Sequence, residues 1–157
     1  MSVRWDRHFI KRCLCVSEMS KDPSTRVGAV IVDGDGVQRA DGYNGFPRGI
    51  LDTQERLNDR DMKLRLVVHA ERNALLNAAR IGTAVKGCTL YLAATDSSGA
   101  IWGGSPCTAC VIEVLQAGIA RVVSPPMKNT PTRWRDDLLF ARGLLNEAGV
   151  SYEEVEP

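Results

Sequence analysis

The chain has 157 residues, 25% of them charged, with 20 Lys and Arg against 19 Asp and Glu and a formal net charge of +1. That length suits one domain with a core that needs no disulfide staples, and the near-neutral balance excludes a global field for a nucleic-acid backbone or an acidic membrane surface. No run nears the roughly 18 apolar residues of a membrane span, and Met1 to Asp6 carry no apolar leader core, so the expectation is a cytoplasmic protein whose five cysteines stay reduced.

From Trp5 to Ser20, apolar residues at Trp5, Phe9, Ile10, Cys13, Val16 and Met19 recur at three- and four-residue steps and predict an amphipathic helix with Asp6 in its first turn. Cys13 and Cys15 read as small core residues. After the breaker Ser20 to Ser24, Val27 to Val32 is an apolar strand, Asp33-Gly34-Asp35-Gly36 a hairpin turn, and Val37 to Gly42 the returning strand. Gly42-Tyr43-Asn44-Gly45-Phe46-Pro47-Arg48-Gly49 then allows a close backbone approach, and it offers Asn44 and Arg48 to a ligand or forms an ordinary loop. Leu51 to Arg65 is a charged surface excursion with some helix.

Ala70 to Arg80 has high helix propensity and no breaker before Gly82, with Leu75, Ala78 and Ala79 as its core face. Cys88 to Ala94 is a buried strand. Thr95 to Gly104 is a glycine and serine loop carrying Trp102. Pro106 and Cys107 open a helix with its body over Ala109 to Ala117, stopped by Gly118. Ile119 to Ser124 is a strand, Met127 to Arg135 a loop, and Asp136 to Ala148 a helix with Leu138, Leu139, Ala141, Leu144 and Leu145 inward. Val150 to Val155 is a short edge strand. The alternation of strand and helix after the hairpin predicts an α/β fold with a mixed sheet and helices on both faces.

Chemistry concentrates in His69-Ala70-Glu71 and Pro106-Cys107-Thr108-Ala109-Cys110. One imidazole and two thiols three apart are a ligand set for zinc that leaves a fourth position open, and Glu71 is placed to shuttle protons. A closed structural site needs a fourth His or Cys at ligand spacing. His8 is distant, and Cys13, Cys15 and Cys88 form no second pair of that spacing. Both ligand segments fall at helix starts, where a thiolate, a carboxylate and a hydroxide are favoured.

H-x-E followed by P-C-x-x-C is the signature of zinc nucleobase deaminases. With Ser20-Lys21-Asp22-Pro23-Ser24-Thr25-Arg26-Val27-Gly28 and Gly42 to Gly49 in the same order, the chain resembles the deoxycytidylate deaminase family of the zinc-dependent cytidine deaminase superfamily over nearly its whole length. The resemblance implies a three-layer cytidine-deaminase-like fold, with a five-stranded sheet sandwiched by helices. It implies Zn2+ on His69, Cys107 and Cys110, with Glu71 as acid and base in converting dCMP to dUMP and ammonia. It also implies that Asn44 contacts the sugar, that the backbone N–H of Ala70 contacts the pyrimidine O2, and that Lys21, Arg26 or Arg48 neutralises the 5′-phosphate. Homo-oligomers, as hexamers or dimers, and dCTP or dTTP as effectors come with the family.

Two departures from the family pattern bear on the substrate. Leu66 stands before Val67-Val68-His69, and the 14 residues from Leu92 to Ser105 are an inert surface loop or a flap whose Trp102 closes over the base. Another cytosine nucleotide or aminated heterocycle is compatible with both. A polynucleotide substrate would use Arg133-Trp134-Arg135 but lacks a basic stripe. A non-catalytic zinc-binding regulator would have no use for Glu71.

Overall fold

The computed structural model describes residues 1–157. Six helices and six strands run in the order α1 (Val3–Ser17), β1 (Thr25–Val32), β2 (Gln38–Tyr43), α2 (Gln54–Asn58), α3 (Arg60–Leu66), α4 (Ala70–Ile81), β3 (Thr89–Asp96), β4 (Ile101–Trp102), α5 (Thr108–Gln116), β5 (Arg121–Ser124), α6 (Thr132–Glu147) and β6 (Ser151–Glu154). Five strands form the main path, β2-β1-β3-β5-β6. The sixth, β4, folds back on the end of β3 through Ala94–Trp102 and Thr95–Ile101. The β1 pairings with β2 and β3 are antiparallel, while β3–β5 and β5–β6 are parallel.

Strand alternation sorts the core into two layers. Ala29 and Ile31 of β1, Leu90 and Leu92 of β3 and Val122 of β5 face α4, α5 and α6. Val30, Val32, Tyr91, Ala93 and Val123 face Phe9, Ile10 and Cys13 of α1. Burial on both faces explains why these strands read as unbroken apolar runs. Two glycines let the helices seat closely. A Cβ on Gly28 would run into the Cys13 carbonyl of α1, and one on Gly42 would run into the backbone of Ala70 and Ala74 in α4.

Several boundaries and faces differ from the sequence expectation. Helix α1 ends at Ser17, and Met19 is exposed. Trp5 is also exposed, while Asp6 takes a buried place on the inner stripe. Cys13 is core but Cys15 is exposed, because two residues along a helix turn a side chain to the opposite face. On α4 the buried stripe is Ala70, Glu71, Ala74 and Ala78 rather than one through Ala79, since its small residues let the helix lie against β2. Helix α6 begins at Thr132, four residues before Asp136. Pro131 stands at its N-cap and lacks only an N–H that a first turn leaves unpaired. Its inner stripe is Leu138, Ala141 and Leu145, with Leu139 exposed. No helix is long and apolar enough to cross a membrane.

Candidate active site

Two helix starts meet at one point. His69 is the N-cap of α4 and Cys107 the N-cap of α5, and neither makes a side-chain capping bond. The position that usually carries a capping Ser or Asp carries a metal-type donor instead. His69 Nδ1 lies 3.3 Å from Cys107 Sγ and 3.4 Å from Cys110 Sγ. All three donor atoms fall within 4.8 Å of one another. Tetrahedral zinc, with bonds of about 2.0 to 2.3 Å, sets its ligand atoms roughly 3.3 to 3.8 Å apart, so the donor set and its size both fit that ion.

The two helices are fixed in place. Asn73 and Asn77 of α4 donate to the Tyr43 and Asp41 carbonyls of β2 at 2.9 and 2.7 Å. Arg72 ties α4 to α5 through both carboxylate oxygens of Glu113, at 2.8 and 2.9 Å. The cap that Cys107 does not supply comes from α6, where the Asp137 carboxylate accepts from Thr108 N at 3.0 Å and from Thr108 Oγ1 at 2.6 Å.

Electrostatics at the donors favour a cation. The hydrogen bond from Cys110, with the His69 imidazole close by, holds the Cys107 thiol down at about 4. Cys110 is pushed well above its ordinary value by its bond to Cys107, then by burial and by the Glu71 charge. The two thiols thus push each other in opposite directions, and a cation bound between them would favour the thiolate at both. Glu71 is 5% exposed and has no cationic partner. Burial, then the Cys107 charge, raises its carboxyl above the usual range.

Above these groups opens a cavity of about 590 Å³ whose wall includes His69, Ala70, Glu71 and Cys107. Its polar lining includes Ser24, Thr25, Asn44 and Asn58, and its apolar lining Leu57, Leu64, Val67, Trp102, Trp134 and Leu138. The backbone N–H of Ala70 sits at the first position of α4, where no intrahelical acceptor exists. The Asn44 amide holds strand β1, accepting from Val27 N at 2.8 Å and donating to the Thr25 carbonyl at 2.9 Å. One of its N–H groups remains for a ligand. Asp22 orders the preceding loop, accepting from Ser24 N and Thr25 N at 2.8 and 3.1 Å and pairing with Lys63 at 3.2 Å.

The three basic residues expected at a phosphate lie elsewhere. Lys21 pairs with Asp52 at 2.9 Å. Arg48 donates to Asn77 at 2.7 Å and lines a separate groove with Arg12, Arg39 and Arg80. Arg26 is exposed beside Thr95 to Gly99. The cations that do line the cavity are Arg60, Lys63 and Arg133. Arg60 and Lys63 carry no sequence signal for this, since α3 reaches the cavity only through the tertiary fold, while Arg133 belongs to the Arg133-Trp134-Arg135 cluster that the sequence offers to a phosphate-bearing substrate.

The stretch from Leu92 to Ser105 is packed and hydrogen-bonded into the wall of the cavity. Trp102 is 8% exposed, packed with Ala94 and Leu138. Thr130 donates to the Gly103 carbonyl at 2.6 Å, Asn129 to the Ile101 carbonyl at 3.0 Å, and Gly104 N to Ser124 Oγ at 3.1 Å. Within this well-bonded wall, the indole nitrogens of Trp102 and Trp134 are buried without an acceptor. Each costs about 1–3 kcal/mol while it stays unpaired.

A layered α/β sheet that delivers an open His-Cys-Cys group and a free buried carboxylate to one cavity defines a hydrolytic deaminase of the cytidine-deaminase-like class. Residues 3–125 match the family model of the cytidine and deoxycytidylate deaminase zinc-binding region, and the chain belongs to that family. It is 33% identical to a human deoxycytidylate deaminase over 99% of this chain and 82% of that protein. It is 30% identical to an uncharacterized deaminase of Aliivibrio fischeri, covering 96% of this chain and 92% of that protein. In fold it is similar to the dCMP deaminase of cyanophage S-TIM5 in complex with dCMP and dUMP, with a TM-score of 0.71 at 23% identity over 99% of both chains.

Proposed function

We propose that this enzyme hydrolyses dCMP to dUMP and ammonia with a zinc ion held by His69, Cys107 and Cys110. The observation that carries the reading is Glu71, a buried carboxylate without a cation, in the same cavity wall as the three-donor group. Zinc held by these three residues would lower the pKa of a water to about 7 and so make it a nucleophile near neutral pH. Glu71 takes a proton from the attacking water and delivers it to ring N3 of the cytosine, then takes the proton of the new C4 hydroxyl and passes it to the departing amine, so that ammonia leaves and the C4 carbonyl forms. Its raised carboxyl suits a group that must both accept and donate near neutral pH. The Ala70 N–H holds the pyrimidine O2, and the spare N–H of Asn44 holds the sugar. The relatives named as deoxycytidylate deaminases, aligned over nearly the whole chain, support dCMP among cytosine compounds.

Regulation by dCTP or dTTP belongs to the same reading, and the groove of Arg12, Arg39, Arg48 and Arg80 supports a polyphosphate there. Exposed apolar residues on α4, α5 and α6, among them Ile81, Ile112 and Phe140, support a homo-oligomer. Five free cysteines suit the reducing cytoplasm. The test is ammonia release by zinc-loaded protein from dCMP, CMP, dCTP, deoxycytidine, 5-methyl-dCMP and a cytosine oligonucleotide. Preferential turnover of dCMP is expected, and silence on dCMP with activity elsewhere in the panel overturns the assignment.

A further inference from the structure

The cavity has one bonded side and one loose side. Its Trp102 wall is tied in by hydrogen bonds from Thr130, Asn129 and Gly104, whereas α2 and α3, which line it through Leu57, Lys63 and Leu64, have few such ties. Of residues 50–67, Leu57 alone is buried, and α3 buries nothing. The two helices pack on each other and barely on any other helix or strand. Two ion pairs hold them down, Lys63 to Asp22 at 3.2 Å and Asp52 to Lys21 at 2.9 Å, both on successive residues of the loop between α1 and β1. The chain enters this excursion through Gly49, at φ +84° with open space around it, and leaves through the backbone pairing of Val68 with Gly45. Leu57 borders two voids. It lines the main cavity and a second one of about 270 Å³, and Asp22, Lys63 and Val67 are common to both walls. A side chain packed tightly on all sides shifts only with strain, but one with space on two sides has room to move. Leu64, 52% exposed, borders the main cavity together with Trp134 and Leu138, so movement toward them removes apolar surface from water.

We propose that α2 and α3 form a strap that rocks about Gly49 and Val68, latched by the Lys63–Asp22 pair, and that it closes over a nucleotide in the cavity and opens to release it. The inference rests on the deamination reading for its ligand but not for its latch. Lys63 and Asp22 are positioning residues. Asp22 also accepts from Ser24 N and Thr25 N, and the Thr25 carbonyl accepts from Asn44, so one carboxylate sets both the strap and the Asn44 side of the cavity. Closure keeps bulk water from exchanging the proton that Glu71 carries.

The test is amide hydrogen exchange read by mass spectrometry on the zinc-loaded full chain, alone and with dUMP. Without ligand, peptides covering residues 54–66 should exchange much faster than those of α4, and saturating dUMP should slow them roughly 10-fold or more while α1 stays unchanged. Lys63→Met leaves Asp22 its two backbone donors, so the chain should still fold. That variant should speed exchange over 54–66 by a further roughly 10- to 100-fold and leave α1 and α4 as they are. Exchange over 54–66 as slow as in α4, or a Lys63→Met effect spread equally over α1 and α4, overturns the latch. A dUMP complex that raises the unfolding temperature without slowing 54–66 overturns the closure. A chain with the fast strap and the Lys63→Met effect that neither binds dUMP nor releases ammonia from dCMP overturns the deamination reading and leaves the latch standing.

Discussion

Asp6 and Glu71 are the same kind of group in the same kind of place, and the protein treats them in opposite ways. Each is a carboxylate in the first turn of a helix, 1% and 5% exposed. Asp6 accepts from Arg121 Nη1 and Nη2 at 2.7 and 3.1 Å and from the Tyr91 hydroxyl at 2.7 Å, while Arg121 also grips Glu153. Burial alone would raise its carboxyl, but the bonds from Arg121 and Tyr91 outweigh that and hold it below the ordinary range. Glu71 has burial without a cation, and its carboxyl rises. Burial therefore does not set the role of a buried charge. A carboxylate paired with a cation holds the fold, and one buried without a salt bridge is free to exchange a proton.

Substitution separates the two roles most sharply. Glu71→Gln should cut kcat by roughly a hundred- to ten-thousand-fold while thermal unfolding stays nearly level, because no salt bridge is lost and the amide oxygen can still accept the bonds from Cys110 and the backbone. Full activity in zinc-replete Glu71→Gln would end the proton-shuttle role. Stripping metal with a chelator should likewise abolish turnover and lower the unfolding temperature, with both restored by added zinc. The mirror case is Asp6→Asn, which leaves Arg121 half-satisfied and should cost about 2–4 kcal/mol in denaturant unfolding with kcat nearly unchanged.

Acid sharpens the contrast further. The Arg121 bonds hold the Glu153 carboxyl low as well. A depressed carboxylate contributes stability that is fully present above its unfolded value, near pH 4 to 4.5, and lost as pH falls through its lower folded value. The wild-type unfolding free energy should drop along that limb, and Asp6→Asn should flatten the drop. The smallest effect expected is from Asp137→Ala, which uncaps α5 from outside and should cost about 1 kcal/mol, seen as a modest loss of zinc affinity and unfolding temperature.

The floor of the candidate site is legible in the sequence because it is local. His69 and Glu71 share a helix turn, Cys107 and Cys110 share another, and the caps and breakers around them mark both helix starts. The hairpin and the apolar strands are readable for the same reason, since period and turn residues are short-range signals. What was not legible depends on partners far along the chain. Asp6 looks like a surface first-turn acid until Arg121 is brought beside it. Arg60 and Arg133 look like solvated charge until α3 and α6 meet over the cavity, whereas Lys21, Arg26 and Arg48, which the resemblance implies at a phosphate, do not line it. The two-residue strand β4 is too short to show a period, and Pro131 reads as a breaker although it starts a helix.

The clamp between Asp6 and Arg121 spans 115 residues. At a synthesis rate of about 5–20 residues per second, roughly 6 to 23 s separate the emergence of its two ends. Throughout that interval Phe9, Ile10 and Cys13 have no β5 to lie against, and His69 waits a further 38 to 41 residues for its thiol partners. The closing lock of the fold and the two thiols of the candidate metal group thus arrive within a few seconds of each other. A nascent chain halted before Cys107 carries an unfastened first helix and a solitary imidazole.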